Sequence, residues 1–302
     1  MSGDDRTLAD WITQTERRLR KAGLFFGHGT QNALDEAAWL VAAAAKIAPG
    51  DLNRSMGRVA TTRESRRILA LTDKRIATRM PLAYLLGEAW LTGHRFIVDR
   101  RVIIPRSFIA ELLDDGLRPW CANPRSVKRV LDLCTGSGCL AILAALAFPR
   151  ARIDAVDISR RALTVAQKNV RAYGLEDRIS LIDSDLFQAV PVQEYDLIIS
   201  NPPYVKAQSM RKLPPEYRSE PAIALAGGSD GLDTVARIIR EADRYLKPNA
   251  HLLLEIGHNR TAFERRYPRL PVTWPSTSSE SDAVLWVAVE DLRAIGMRVG
   301  RH

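Results

Sequence analysis

Residues 130–141 read Val130-Leu-Asp132-Leu-Cys134-Thr-Gly136-Ser-Gly138-Cys-Leu-Ala141, and this stretch decides the fold class. Arg129–Leu133 has the length and apolar content of a buried strand. Gly136 and Gly138 open a tight turn, and the alanine-rich run Cys139–Phe148 behind them reads as a helix. The alternation continues with strand Arg152–Ile158, helix Ser159–Tyr173 and strands Ile179–Ile182 and Tyr195–Ser200. Helix Ser229–Leu246, strand His251–Ile256 and a closing strand Ala283–Val289 complete it. Strands alternating with helices predict an α/β protein with a doubly wound, mainly parallel sheet.

Such sheets take their ligands at the carboxyl ends of the strands, so the residues there carry the functional reading. Gly136-x-Gly138-x-x-Ala141 fits a dinucleotide fingerprint. However, Asp132 lies at the same strand end, where a carboxylate repels a diphosphate. It suits a cationic ligand, the α-ammonium and sulfonium of S-adenosylmethionine. Asp157, 25 residues further on at the end of the next strand, is placed to accept from ribose hydroxyls. Asp185, after the third strand, can accept from an adenine amino group, with Leu186 or Phe187 against the ring. Three carboxylates at three successive strand ends point to a nucleoside-bearing cofactor.

The run Tyr195–Ser200 leads into Asn201-Pro202-Pro203-Tyr204. Two prolines cannot continue a ladder, because each lacks an N–H and fixes φ. The chain therefore leaves the sheet as a stiff loop bearing an amide, bare carbonyls and an aromatic ring. Pro203 keeps the loop from relaxing, and no metal site is expected.

Upstream, Leu8, Trp11, Ile12, Thr15 and Leu19 recur at helical spacing. A second helix runs from about Asn32 to Ile47, and a third from near Thr62 to before Pro81. Pro81–Pro105 changes period and reads as one or two β-hairpins turning at Thr92-Gly93-His94. Ser107 is a good N-cap for a helix of roughly ten residues with Glu111 four positions on. The expected organisation is a helical substrate-recognition domain over 1–82, a hairpin linker over 83–106 and a cofactor-binding domain over 107–302. His28, between two glycines, reads as a turn or packing residue, and the tail Arg298–His302 is expected to fray.

The chain has 302 residues and a formal charge of +9. Up to Val127 there are 20 Lys and Arg against 14 Asp and Glu, so the basic excess sits in the first part. It suits contact with nucleic acid or with something that sits on it, or is simply a solvated surface. The apolar runs are too short to span a bilayer, and the acidic, polar N-terminus does not read as a signal peptide. Three cysteines without metal-ligand spacing suggest a reducing cytoplasm.

Asp132–Gly138, Asp157, Asp185 and Asn201-Pro-Pro-Tyr204, in this order, resemble the class I S-adenosylmethionine-dependent methyltransferases that methylate planar nitrogens. The resemblance implies a cofactor site of Asp132, Thr135, Gly136, Ser137, Gly138, Asp157, Ile158, Asp185, Leu186, Phe187 and Asn201, with S-adenosylhomocysteine as by-product. It implies catalytic roles for Asn201, Pro202 and Tyr204: the Asn201 side-chain oxygen and the Pro202 carbonyl would each accept one N–H of a planar acceptor nitrogen and aim its lone pair, and Tyr204 would pack on the flat group, with Pro203 and Arg106 also at the substrate. The sulfonium is an activated donor, so no metal is implied. Ile104-Pro-Arg106, Glu220-Pro-Ala-Ile-Ala-Leu-Ala-Gly-Gly-Ser-Asp-Gly231 and Leu254-Glu255-Ile-Gly257 resemble the protein-glutamine methyltransferases. Arg106-Ser107 and Ala22–Thr30 are closer to the branch acting on large-subunit ribosomal protein L-three than to the sister branch acting on peptide release factors. Two departures stand out: Phe108 where that branch has a second proline, and Cys134 where the wider superfamily often has Gly. The competing readings are an adenine amino-methyltransferase, a non-catalytic binding module and a nicotinamide-dependent oxidoreductase. The lack of an obvious base-extracting domain disfavours the first, Asn201 kept with Tyr204 the second, and Asp132 the third.

Overall fold

A computed structural model describes residues 5–277 and 282–299. The chain begins with α1 (Leu8–Lys21), α2 (Ala33–Ala45), α3 (Leu52–Ser55), α4 (Thr62–Thr78) and α5 (Leu82–Leu86). Capping boxes start α1 (Thr7 with Asp10) and α4 (Thr61 with Glu64), satisfying orphan N–H groups reciprocally. Leu8, Trp11, Leu19, Leu40, Val41 and Ile68 form the core of this helical part, which Leu82 closes.

A single hairpin follows, β1 (Glu88–Leu91) and β2 (His94–Ile97). Its two tip residues, Thr92 and Gly93, both have positive φ, as a tight two-residue turn requires. Residues 98–104, expected to be strand, are not. A turn interrupts them, the Val102 N–H donating to the Asp99 carbonyl at 3.1 Å. Val98, Val102 and Ile104 are buried against the helix that follows β4, and the Tyr84 hydroxyl donates to the Val102 carbonyl at 2.6 Å.

The remaining elements are α6 (Phe108–Asp114), β3 (Arg129–Leu133), α7 (Cys139–Ala147), β4 (Arg152–Asp157), α8 (Arg160–Ala172), β5 (Ile179–Asp183) and β6 (Tyr195–Ser200). After them come α9 (Ala207–Met210), α10 (Asp233–Glu241), β7 (Leu246–Glu255), α11 (Arg260–Arg266), β8 (Val284–Ala288) and α12 (Val289–Val299). The six-stranded sheet runs β5-β4-β3-β6-β7-β8, parallel except for β8, and Thr273 pairs singly with Trp286 beyond it. Successive residues bury on opposite faces. Val130, Leu197, Ile199 and Leu253 meet α6 and α7, whereas Leu131, Ile198, Leu252 and Leu254 meet α10, α11 and α12. The strand order reverses at β3 and β6, with β4 and β5 added on one side and β7 and β8 on the other, and a crevice opens outside the carboxyl ends of this parallel pair.

Several bounds differ from the sequence reading. Helix α6 is seven residues long. The helix expected from Ser229 starts only at Asp233, because Gly227 to Gly231 wrap the loop after β6 instead. Strand β7 begins at Leu246, and the turn residues Lys247 to Asn249 conceal its first half. Helices α11 and α12 were not foreseen. The frayed tail expected over Arg298–His302 falls largely on residues 300–302, outside the described residues. Among the described residues no helix is long and apolar enough to cross a membrane.

Asn169 of α8 ties the hairpin to the sheet. Its Oδ1 accepts from the Ile97 N–H at 2.7 Å, and Nδ2 donates to the carbonyls of Ile97 and Ser137, both at 2.9 Å. One buried amide thus fixes β2 and the glycine turn on a common support. Asn169→Leu fits the volume and strands an N–H and two carbonyls, so it should destabilise the fold by at least about 2 kcal/mol in urea unfolding. A loss below about 0.5 kcal/mol would show that the bridge is dispensable.

Candidate active site

A cavity of about 580 Å³ occupies the crevice, within the range of small-molecule and cofactor sites. One end is built by the turns after β3, β4 and β5. Cys134 holds φ +60° and Leu186 φ +52°, and both line the cavity. Left-handed backbone is costly for a side chain with Cβ, which explains why glycine is common in the superfamily at the first position. Gly136 has φ +57° and lines the cavity, with its N–H donating to Asp157 Oδ2 at 2.8 Å. Gly138 does different work. A Cβ there would lie 3.2 Å from Ala166 Cβ, so it permits the close approach of α8.

Asp157 holds itself in place through the Gly136 and Ser159 N–H groups, each at 2.8 Å, and burial pushes its carboxyl above the usual range. Asp185 presents one oxygen to Arg237 Nη2 at 2.8 Å and lines the wall with Leu186 and Ile158. Asp132 is fully buried beneath the glycine turn and off the cavity wall. Its Oδ2 accepts from Thr135 Oγ1 at 2.5 Å, while Oδ1 is buried with no hydrogen-bond partner. Burial pushes the carboxyl up to about 7, opposed by the Thr135 hydroxyl and the Ala141 N–H. An orphaned buried carboxylate oxygen under the turn fits a cationic group above it. This end of the cavity therefore fits S-adenosylmethionine.

The other end is the loop after β6. Asn201 Nδ2 donates to the Arg106 carbonyl at 3.3 Å; the reversed amide would set two oxygens together, so the side-chain oxygen lies on the opposite side. Among the described residues nothing donates to the Pro202 carbonyl. The rest of the loop is enclosed. Asn259 Nδ2 donates to the Tyr204 carbonyl at 2.8 Å, and Val205 exchanges hydrogen bonds with Leu225 and Gly227 at 2.8 Å each. A Cβ at Gly227 or Gly257 would lie 2.6 Å from Tyr204, and one at Gly231 2.5 Å from its carbonyl. Only glycine fits at all three.

The Tyr204 hydroxyl donates to Glu255 Oε1 at 3.1 Å. Glu255 is fully buried, and its Oε2 accepts from Ser107 Oγ at 2.6 Å and from the Phe108 N–H at 3.0 Å. Burial pushes Glu255 up to about 7 against those three donors. The cavity thus presents carboxylates and bent backbone at one end, and an amide oxygen, a bare carbonyl and an aromatic ring at the other.

Residues 109–213 match the family model described as Methyltransferase small domain, and residues 10–87 the PrmC N-terminal domain. The chain is 53% identical to the ribosomal protein uL3 glutamine methyltransferase of Bordetella pertussis, covering 95% of this chain and 96% of that one. It is 48% identical to that of Burkholderia pseudomallei, over 96% and 97% of the two chains. Identity to that of Neisseria meningitidis serogroup B is 49%, over 95% and 94%. The chain belongs to the ribosomal protein uL3 glutamine methyltransferase family.

In this family member, the structure brings Arg106, Gly136, Asp157 and Ile158 to one cavity with Asp185, Leu186 and Asn201–Tyr204. Thr135, Ser137 and Gly138 stay behind the wall with Asp132. Phe187 is turned away as well. Its ring stacks on Tyr245 in the core, centroids 4.7 Å apart, which leaves Leu186 to face the cavity. The Arg106 side chain is committed to Glu220 through two bonds of 2.6 Å. Glu255 and Arg237 received no role from the sequence, although a charged residue closing the apolar run Leu252–Leu254 was a signal for the first. Among the described residues no group of three or more His, Cys, Asp or Glu could hold a metal ion.

Glu255 supplies a pH test. Between its ordinary value of 4.5 and about 7, the folded chain keeps a proton that the unfolded chain has lost, so stability falls as pH rises through that window. Glu255→Gln cannot titrate. Across pH 5 to 8 the parent should lose stability relative to this variant, by no more than about 3 kcal/mol. Parallel stability curves would mean that Glu255 ionises normally.

Proposed function

We propose that this enzyme transfers a methyl group from S-adenosylmethionine to the side-chain amide nitrogen of a glutamine in large-subunit ribosomal protein L3. The observation that carries the reading is the pairing of two ends within one cavity, a cofactor-type end at Gly136, Asp157 and Asp185 and an amide-accepting end at Asn201 and Pro202. When bound, S-adenosylmethionine supplies a methyl group already activated by its sulfonium. Asp157 would hold the ribose hydroxyls, and Asp185 and Leu186 the adenine. Asp132, through its unpartnered oxygen, would stabilise the positive charge above the glycine turn.

The residues of the loop do the rest. The Asn201 oxygen and the Pro202 carbonyl would each take one N–H of the glutamine amide, so the nitrogen becomes more electron-rich and keeps one orientation. Tyr204, held by Glu255 and backed by Gly257, would give the flat amide a fixed surface. As the C–N bond forms and the methyl–sulfur bond breaks, the nitrogen becomes cationic and strongly acidic, so one N–H proton passes to solvent water and S-adenosylhomocysteine leaves. Rate comes from orientation and electrostatics, without a strong base. The helical part would receive the protein substrate. The basic excess before Val127, with Arg63 and Arg66 exposed on α4, supports a substrate presented beside RNA in an assembling subunit in the cytoplasm.

Two substitutions separate the ends. Asn201→Ala should lower turnover at saturation by about 100-fold or more, with cofactor affinity changed much less. Asp157→Ala should raise the cofactor dissociation constant, each lost bond to the carboxylate being worth about 1–3 kcal/mol. Isothermal titration and steady-state kinetics read both, and an exchange of the two phenotypes would refute the assignment. For the acceptor, purified L3 and a purified release factor are incubated separately with methyl-labelled cofactor. Label should enter L3; preferential labelling of the release factor would move the substrate to the sister branch.

A further inference from the structure

Glu220 lies in the segment between β6 and α10, outside the residues given a role above, yet it is buried against the acceptor end of the cavity. Its Oε1 accepts from the Ile104 N–H at 3.0 Å and from Arg106 Nη1 at 2.6 Å, and its Oε2 accepts from Arg106 Nη2 at 2.6 Å. A two-bond carboxylate–guanidinium pair fixes direction as well as distance. Pro105, with its fixed φ, joins the two residues held. The Ile104–Arg106 backbone is therefore gripped from both sides of the proline by one carboxylate. What that backbone presents to the active site is the Arg106 carbonyl, the acceptor of Asn201 Nδ2. At 3.3 Å this bond is long, so the Asn201 amide depends on the carbonyl being held still.

Glu220 also packs against the helical part. His28 Nε2 lies 3.7 Å from its Oε2, and the His28 ring packs on Tyr217 with centroids 4.4 Å apart. Four residues earlier, Glu216 Oε1 accepts from the Phe25 N–H at 3.1 Å and pairs with Arg79 at 2.7 Å. Residues 216–220 thus join the α1–α2 loop and the end of α4 to the backbone that orients Asn201.

We propose that Glu220 is a positioning residue for methyl transfer, holding the Arg106 carbonyl so that the Asn201 side-chain oxygen faces the acceptor amide. The proposal rests on the reading of Asn201 as the acceptor's partner and adds to it the residue that sets its orientation. It also gives His28 a place, as buried packing on the outer side of the Glu220 carboxylate.

A double-mutant cycle tests it with the full-length enzyme and its protein substrate. Glu220→Gln keeps the shape but turns an amide N–H toward the guanidinium. It should lower turnover at saturation by about 10–100-fold, as expected when a reacting group is misplaced by a fraction of an ångström to an ångström. The cofactor dissociation constant should stay within about twofold, since the cofactor end is untouched. In the Asn201→Ala background the same substitution should cost less than about twofold, because its effect passes through the missing amide. An equal loss in both backgrounds would overturn the proposal and leave the Asn201 reading intact. No loss from Asn201→Ala alone would instead sink that underlying reading. Arg106→Lys, which keeps the charge but loses the two-bond grip, must show the same dependence on Asn201 and serves if Glu220→Gln fails to fold. Independence there would equally overturn the proposal.

Discussion

The enclosure of the Asn201–Tyr204 loop is the constraint on which the rest of the structure depends. Two consecutive prolines make the loop stiff, but stiffness alone does not place it. Placement comes from Gly227, Gly231 and Gly257, where any side chain would collide with Tyr204 or Asn259, and from hydrogen bonds that engage the backbone on either side. The Tyr204 carbonyl is used by Asn259 and its hydroxyl by Glu255. The groups that remain unengaged by the fold are those that a planar amide can use.

The opposite end of the cavity is organised by burial of charge. Asp132 and Asp157 are both pushed above the usual carboxylate range by desolvation, Asp132 further by the charge of Asp157 and Asp157 further by that of Asp183. Left-handed backbone at Cys134 and Leu186 turns both residues onto the wall of the same cavity. Buried carboxylates and strained turns weaken a fold, and here they gather around the one large cavity described. Strained backbone and perturbed carboxylates cluster in this way at functional sites.

Much of this was legible in the sequence, for reasons that differ by residue. The parallel sheet announced itself through apolar runs of strand length separated by helical ones, a signal local in the chain. Asp157, Asp185 and Asn201 were legible because a strand end can be counted, and topology sends all such ends to one crevice. Asp132 was found by the same count, but its burial beneath the turn depends on how the strand is covered. Glu220, Glu255 and Asn169 kept their roles hidden because their partners lie 116, 148 and 72 residues away. The family-like stretches Glu220–Gly231 and Leu254–Gly257 gain a physical meaning only in the fold, where both close around Tyr204.

As proposed, the loop selects a side-chain amide as the methyl acceptor. Fragment-ion mass spectrometry of ribosomal protein L3, after reaction with methyl-labelled cofactor, tests it most directly. The label should fall on the side-chain nitrogen of a single glutamine, and enter about 100-fold more slowly when Asn201 is replaced by alanine. A label on a lysine, an arginine, a backbone nitrogen or an adenine of accompanying RNA would contradict it.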